Sequence, residues 1–357
     1  MASDLEHGTN VWSAQDTTPG AIAEGLQELE QRQVAADGMY APARVVNLVA
    51  VVDREWKGEI LNRLDRVGRY HPSRTILCAF EEGRTTLDSM ATMESTVPVE
   101  PGEIVVCKEV VEVDIGPRHL ARLDSIVDAL IVRDLTTIVW SPHRHHQALD
   151  PLRGIADVVL LDSTDEPDLH VALRRALGLS EYAYVVDLAW LRSTPWRERI
   201  AATFDPAEWR PMLREISSVT IRHRADSTIS ALLLLGWLES RLGWRPGTLV
   251  AENGRSRGTS RAGKVDVKVT LESVAGLDVP GLSGVTVETA SGMSLSLDRG
   301  PGGLAARRRA PHRRESSWVV LGASRGEAGI LGEGIRQALL RDPTYRPAVA
   351  CAAKLLG

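Results

Sequence analysis

The pattern of hydrophobic positions changes character about halfway along the chain. In the first half, short apolar runs rich in β-branched residues alternate with segments whose apolar residues recur every three or four positions. The apolar runs predict strands at 44–52, 75–80, 103–113, 136–140 and 156–161. The periodic segments predict helices at 17–33, 57–67, 117–130 and 169–177, the first of which is expected to be the first ordered element. This alternation predicts an α/β domain with a mixed, partly parallel sheet and crossover helices over residues 1–178.

The second half has a different pattern. A tryptophan-rich helical region is predicted at 185–216, then a short strand at 219–223 and a strongly apolar helix at 228–242 that ends at Gly243. Residues 248–320 carry short alternating runs separated by Gly, Pro and Arg, which predict an antiparallel sheet with long basic turns. A last helix is expected at 331–340. We therefore expect an α+β C-terminal domain over residues 179–357.

Composition and charge narrow the class of protein. The chain has 357 residues, 42 basic and 47 acidic, so its formal charge of −5 gives no general attraction to nucleic acid or to an anionic membrane. The longest apolar stretch is too short to span a membrane, and the first ten residues lack a signal-peptide pattern, so a cytoplasmic protein is expected. Three widely spaced cysteines predict neither a disulfide framework nor a zinc site.

Two segments resemble ligand sites at first sight. Residues 319–326, VVLGASRG, look like a dinucleotide-binding turn, but the residues that follow are too few to form the second strand of a βαβ unit. Residues 143–146, HRHH, follow a predicted strand but have no carboxylate or cysteine beside them at ligand spacing. We interpret the first as an ordinary strand–turn–helix connection and the second as a solvated loop, and expect no cofactor or metal.

Two basic runs, at 255–264 and 307–314, are predicted as turns that line up at one end of the sheet. Such turns would bind phosphate groups or an acidic protein surface, although two solvated turns are the alternative. The candidate anion-binding residues are Arg255, Arg257, Arg261, Arg307, Arg308 and Arg309. Aromatic residues are not interleaved with these arginines, which disfavours binding of single-stranded nucleic acid.

Catalytic signatures are missing from the sequence. It contains no H-E-x-x-H or phosphate-binding G-x-x-x-x-G-K-[ST] string, and no residue set stands out as catalytic. A binding protein is therefore favoured over an enzyme. Two alternatives stay open: a nucleotide- or sugar-phosphate-binding α/β enzyme, and a nucleic-acid-binding regulator that would rest on the 307–314 run alone.

Several strings read together resemble one family. They are H-P-S-R at 71–74, D-L-T-T-I-V-W at 134–140, A-D through D-S at 156–163, D-L-A-W at 187–190, T-P-W-R-E at 194–198 and G-W-L-E-S-R-L-G-W at 236–244. The chain is similar in these strings to the glucose-6-phosphate dehydrogenase assembly protein family OpcA, of actinobacteria and cyanobacteria. The last three strings are the most specific.

The resemblance implies a non-catalytic assembly factor or allosteric activator of glucose-6-phosphate dehydrogenase in the oxidative pentose phosphate pathway. That enzyme is then the expected partner. Because Trp and Arg dominate interface hot spots, the interface candidates are His71, Arg74, Trp190, Arg192, Arg197, Trp237 and Trp244. The alternative is that the tryptophans fill a core poor in Phe. For the helix that starts at Thr194-Pro195, we expect the apolar side chains to be buried and Arg197 to point away from them.

Overall fold

The computed structural model describes residues 9–36, 44–68, 72–95, 107–143, 145–300, 302–311, 315–321 and 326–357. The chain divides into two compact units. The first comprises residues 1–161, 182–186 and 331–339, and the second comprises residues 162–181, 187–330 and 340–357. Each unit is built around its own sheet, and the domain boundary expected at residue 178 stays a prediction.

The first sheet has eight strands, and its centre is parallel. The strands are β1 (Thr9–Ala14), β2 (Val46–Asp53), β3 (Ser73–Phe80), β4 (Asp88–Ser95), β5 (Cys107–Ile115), β6 (Thr136–Trp140), β7 (Val158–Leu161) and β8 (Tyr184–Asp187), in the order β1-β4-β5-β3-β2-β6-β7-β8. Strands β5, β3, β2, β6 and β7 pair in parallel, whereas β4 and β1 extend the sheet antiparallel. The α/β class with a mixed, partly parallel sheet is confirmed.

The central strands are almost wholly apolar because both of their faces are covered. Every residue of β2 and β3 except the last is buried. Helices α1 (Pro19–Ala36) and α2 (Lys57–Gly68) agree with the predicted segments. The single helix expected at 117–130 is instead two short helices, α3 (Pro117–Leu120) and α4 (Leu123–Asp128), separated by a turn.

Three strands of the first sheet are absent from the sequence prediction, and one of them, β8, replaces the start of the helical region predicted at 185–216; the other two are β1 and β4. Strand β1 precedes the helix expected to be the first ordered element, and β4 lies between β3 and β5 along the chain. Both lie toward one side of the sheet, where alternate positions are exposed and a continuous apolar run is not needed. Helix α1 nevertheless packs closely on β1, since a Cβ at Gly25 would lie 2.3 Å from the Trp12 ring.

The second sheet also has eight strands and is mostly antiparallel, as predicted. The strands are β9 (Ile216–Arg224), β10 (Val250–Glu252), β11 (Arg255–Ala262), β12 (Val265–Val274), β13 (Leu282–Thr289), β14 (Ser294–Gly300), β15 (Gly303–Arg309) and β16 (Glu315–Leu321), in the order β10-β11-β12-β9-β13-β14-β15-β16. Strands β12 and β9 pair in parallel, and the other neighbours among these described strands pair antiparallel. One face of β9 buries Val219 and Ile221, and the other presents polar side chains.

The remaining helices are α5 (Leu169–Leu179), α6 (Leu188–Arg192), α7 (Thr194–Phe204), α8 (Thr228–Leu242), α9 (Gly326–Leu340) and α10 (Tyr345–Leu355). The apolar α8 ends at Gly243, whose φ of +67° is the left-handed conformation that terminates many helices. Helix α10 packs against α8 so closely that a Cβ at Gly236 would lie 2.2 Å from the Ala348 carbonyl oxygen. The sequence prediction has no helix here, yet Pro347 lies in the first turn of α10, where proline is tolerated.

Candidate interaction surface

A buried carboxylate organises the D-L-A-W segment. Asp187 precedes α6 and caps it by accepting the Ala189 amide at 2.9 Å. It also accepts the Ser163 amide at 3.0 Å, the Ser163 hydroxyl at 2.6 Å and the Tyr345 hydroxyl at 2.9 Å. Burial, with the nearby Asp162 charge adding to it, raises the pKa of Asp187 to about 6. The segment is therefore a packing junction between α6 and α10.

Trp190 and Arg197, two of the interface candidates, lie inside the second unit, so little of either side chain is exposed for a partner to contact. Trp190 is 2% exposed and Arg197 is 9% exposed. The Arg197 guanidinium stacks on the Trp190 ring, and Trp190 Nε1 donates to Asp342 Oδ2 at 2.9 Å. Burial lowers the pKa of Arg197 to about 10. Arg192 is held at its side chain by Asp162, with nitrogen–oxygen distances of 2.9 and 2.7 Å.

Helix α7 itself follows the prediction in part. It begins at Thr194, with Pro195 in its first turn, and Trp196, Ile200 and Phe204 are buried on one side. Arg197, which is expected to point away from these side chains, is nevertheless buried, because it stacks on the Trp190 ring and pairs with Asp342 from a distant part of the chain.

The other interface candidates are also mostly internal. Arg74 is 8% exposed and donates from Nε to Glu109 at 2.7 Å and from an η nitrogen to Glu30 at 2.7 Å. Trp244 is 6% exposed, and Trp237 is half-buried. His71 lies outside the described residues, as does the glycine-rich turn of the 319–326 segment.

Two rings of the histidine run pack against the protein, which corrects the interpretation of this run as a solvated loop. His143 stacks on Trp56, with ring centroids 4.6 Å apart and planes 14° apart. His145 Nδ1 lies 3.2 Å from Asp53 Oδ1, and its ring contacts Phe80. These residues follow the carboxyl ends of β2 and β6, where the strand order reverses and doubly wound sheets usually bind their ligands. In this chain side chains of the protein pack there.

The two basic runs are strands rather than turns in the described residues. Arg255, Arg257 and Arg261 lie on β11, and Arg307, Arg308 and Arg309 lie on β15. Four strands separate β11 from β15, so the runs do not line up at one end of the sheet. The β11 arginines pair with acidic side chains on neighbouring strands: Arg255 with Glu272 at 3.0 Å, Arg257 with Glu252 at 3.8 Å and Arg261 with Asp266 at 3.9 Å.

The β16 side of the second sheet presents an aromatic and arginine cluster. The Arg308 guanidinium carbon lies 4.4 Å from the Trp209 ring centroid and 5.9 Å from that of Trp318. Trp318 is 37% exposed and Val319 61% exposed, and both lie on the outermost strand of the sheet. We call Trp209, Arg308 and Trp318 the edge surface; Val319 follows Trp318 on β16, and its side chain lies on the opposite face of the sheet.

The edge surface has the properties of a protein-binding site. Cation–π stacking holds Arg308 in place, and Trp and Arg are the residues most enriched in binding hot spots. An outermost strand also offers unpaired backbone groups to an added strand. From the sequence, Arg308 is expected to bind anions and Trp318 does not stand out. Trp318 follows the 307–314 basic run by four residues, which is the available signal, but the pairing of β15 with β16 is needed to interpret it.

Neither a membrane span nor a metal site is found in the described part of the chain. Within those ranges no helix is both long and apolar enough to cross a membrane. No group of three His, Cys, Asp or Glu side chains in the same residues has the arrangement to hold a metal ion.

Comparison with known families identifies the class of protein. Residues 65–177 match the family model described as the N-terminal domain of the glucose-6-phosphate dehydrogenase subunit, and residues 183–349 match the model described as its C-terminal domain. Both halves of the chain thus match models of one family of proteins. The chain belongs to the OpcA family.

Individual relatives agree with this family. Proteins that carry the name OxPP cycle protein OpcA are 27% identical over 240 residues in Synechocystis sp. and 25% identical over 210 residues in Synechococcus elongatus. These matches cover 64% and 57% of this chain, and 50% and 47% of the relatives. The chain thus spans about half the length of the curated relatives that it matches. A solved apo scyllo-inositol dehydrogenase from Lactobacillus casei aligns over 88% of this chain and 96% of its own, with 9% identity and a TM-score of 0.46, too low to bear on function.

Proposed function

We propose that this protein binds glucose-6-phosphate dehydrogenase and promotes its assembly or its activity, without catalysing a reaction itself. The observation that carries the proposal is that both halves of the chain match family models described as domains of a glucose-6-phosphate dehydrogenase subunit. We place this role in the oxidative pentose phosphate pathway, in agreement with the relatives' name.

The chemistry of the described side chains supports a non-catalytic role. The strongly perturbed groups Asp187 and Arg197 are buried and satisfied by packing partners rather than directed into a cleft. The rings of Trp56 and His143 stack on each other where the first sheet changes strand order, which is the usual place for a nucleotide in this fold class. These features favour a binding protein over the alternative of a nucleotide- or sugar-phosphate-using enzyme.

We propose further that the edge surface contacts the dehydrogenase. It combines an exposed tryptophan on β16 with an arginine on the neighbouring β15 whose guanidinium lies near two tryptophan rings, whereas the candidates Trp190 and Arg197 are buried. An association that seats Trp318 in a pocket of the partner would remove its exposed apolar area from water, which contributes favourably to binding.

Steady-state kinetics of the cognate dehydrogenase, with and without this chain, test the proposal. We expect a higher kcat, a lower KM or a changed oligomeric state at saturating amounts of the chain, and no NADP reduction by the chain alone. Sedimentation of the mixture measures the oligomeric state in parallel. Unchanged kinetics together with unchanged sedimentation would contradict the proposal, and turnover by the chain alone would favour the enzyme alternative.

A further inference from the structure

The outward face of the second sheet has a polar groove on its β14, β15 and β16 strands. The groove has a volume of about 290 Å³. Its lining residues are Ser294, Ser296, Asp298, Arg307, Arg309 and Glu315. This face is opposite to the one that carries Arg308, because successive side chains of a strand point to opposite sides.

Strand register brings hydroxyl and guanidinium groups together in this groove. Ser296 is directly opposite Arg307, and Ser294 is directly opposite Arg309. Side chains at directly opposed positions have Cβ atoms roughly 5 Å apart, and two residues along a strand are separated by about 7 Å. The four side chains therefore form a compact square with two cations and two hydroxyl groups.

The two arginines of the square differ from the other outward-facing arginines of the sheet. Within the part of the chain that the structure describes, no side-chain hydrogen bond or ion pair engages Arg307 or Arg309, whereas Arg255 pairs with Glu272 at 3.0 Å. Arg222 binds Asp298 at 2.8 Å, and the Ser296 hydroxyl also donates to Asp298 at 2.8 Å, so the Asp298 charge is compensated. Glu315 is opposite Arg309 on β16 and is the remaining carboxylate of the groove.

We infer that the groove lined by Arg307, Arg309, Ser294 and Ser296 binds the phosphate group of a small phosphorylated molecule. Guanidinium groups donate paired hydrogen bonds that match phosphate oxygens, and the Ser294 hydroxyl adds a further donor, while the Ser296 hydroxyl donates to Asp298. A phosphate monoester carries a charge of about −1.5 to −2 at neutral pH, close to the two charges of the arginine pair. A single carboxylate would leave one arginine uncompensated. This inference does not rest on the proposed function.

Titration of the 357-residue chain with inorganic phosphate, measured by calorimetry, tests the inference. Sodium chloride keeps the ionic strength constant during the titration. We expect saturable binding that weakens at least ten-fold in the double variant Arg307→Gln, Arg309→Gln. Glu315→Gln removes the nearby negative charge, so it should bind phosphate several-fold more tightly. Arg255→Gln is the matched control, an exposed arginine on the same sheet that already has a partner, and should bind phosphate as the wild type does.

Two further probes, phenyl phosphate and acetate, distinguish a phosphate group from a carboxylate as the anion that the groove binds. Phenyl phosphate should compete with inorganic phosphate, because a monoester keeps the terminal oxygens, and acetate should not compete at equal concentration. Equal competition by acetate, or phosphate binding that the double variant leaves unchanged, would overturn the inference. If phosphate does not bind but the double variant loses affinity for the dehydrogenase, the groove accepts carboxylates of a protein, and the phosphate inference is wrong while the proposed function stands. Melting temperatures of all variants establish that they are folded.

Discussion

The guanidinium carbon of Arg197 lies 3.6 Å from the centre of the Trp190 ring, and both side chains reach the carboxylate of Asp342. Trp190 lies on α6, Arg197 on α7 and Asp342 just before α10, so one carboxylate connects three elements of the second unit. The Trp190 and Arg197 positions belong to the family strings D-L-A-W and T-P-W-R-E. These strings therefore maintain the fold of the second unit.

This stack predicts that Arg197→Ala destabilises the protein. Removal of the guanidinium leaves Asp342 without its cation and removes a cation–π contact, and loss of one member of a buried ion pair typically costs about 3–5 kcal/mol. Urea denaturation of the wild type and the variant measures the change. Arg210→Ala is the control, because the Arg210 side chain is 66% exposed and lies 4.0 Å from the Asp205 carboxylate. Equal unfolding midpoints for Arg197→Ala and the wild type would contradict the structural role.

The Asp187 junction leads to a second prediction. Asp187→Ala deprives the Ser163 amide and hydroxyl, the Ala189 amide and the Tyr345 hydroxyl of their acceptor. Each buried donor left unpaired costs about 1–3 kcal/mol, so we expect a loss of at least about 3 kcal/mol in the free energy of unfolding. Asp187→Asn retains one oxygen acceptor and should lose less. Thermal melts of both variants compare them, and an alanine variant as stable as the asparagine variant would count against the junction.

Glu239 supplies a prediction about pH. This α8 carboxyl is fully buried, accepts a hydrogen bond from the Ser260 hydroxyl, and has a pKa that burial raises from 4.5 to about 7. The folded state therefore binds the proton more tightly than the unfolded state, and stability falls as the pH rises from about 4.5 through 7. Above pH 7 the free energy of unfolding is lower by the full amount, about 3 kcal/mol.

The variant Glu239→Gln tests this assignment, because the amide keeps an oxygen for Ser260 and cannot ionise. We expect the variant to be more stable than the wild type at pH 8 and similar to it at about pH 4.5, the ordinary pKa of this carboxyl. Comparison of the variant with the wild type at each pH removes the contribution of Asp187, whose pKa is raised in the same direction. A stability difference that does not change between the two pH values would show that Glu239 does not titrate as proposed.

The sequence predicts well those elements whose own apolar residues indicate that the strand or helix is buried. The continuous apolar runs of β2 and β3 and the apolar helix α8 fall in this group. The arginine-rich segments that form β11 and β15 are predicted as turns instead, because they consist mainly of arginines and small residues and carry no clear alternating apolar pattern. These segments form strands because their backbones pair with neighbouring strands.

The candidate site is harder to predict from the sequence than the fold is. The burial of Arg197 depends on Asp342, which is 145 residues further along the chain, and no local pattern indicates such a contact. Trp318 and Arg308 likewise meet only because β15 and β16 pair. The family strings identify the family correctly, yet their most specific residues serve packing, whereas the exposed Trp318 lies outside them.

The two outermost strands of the second sheet provide a matched test of whether the partner contacts the β16 edge. Val319 on β16 is 61% exposed and Val250 on β10 is 67% exposed, so Val319→Ser and Val250→Ser change similar side chains in similar settings. If β16 contacts the dehydrogenase, Val319→Ser should weaken binding and Val250→Ser should not. Trp318→Ala should have the largest effect, about 2 kcal/mol or roughly thirty-fold in Kd, as for a hot-spot tryptophan.

Binding titrations of the dehydrogenase with each variant measure these effects, and melting temperatures separate them from loss of fold. Trp318 is partly exposed, so Trp318→Ala should melt close to the wild type, whereas Trp196→Ala removes a ring that is 2% exposed and should cost about 3–5 kcal/mol. Arg308→Ala should weaken binding as well, because Trp209 and Trp318 both lose the cation that they stack against. If Trp318→Ala and Val250→Ser bind the dehydrogenase equally well, the partner contacts another part of this chain, and the edge surface is not its binding site.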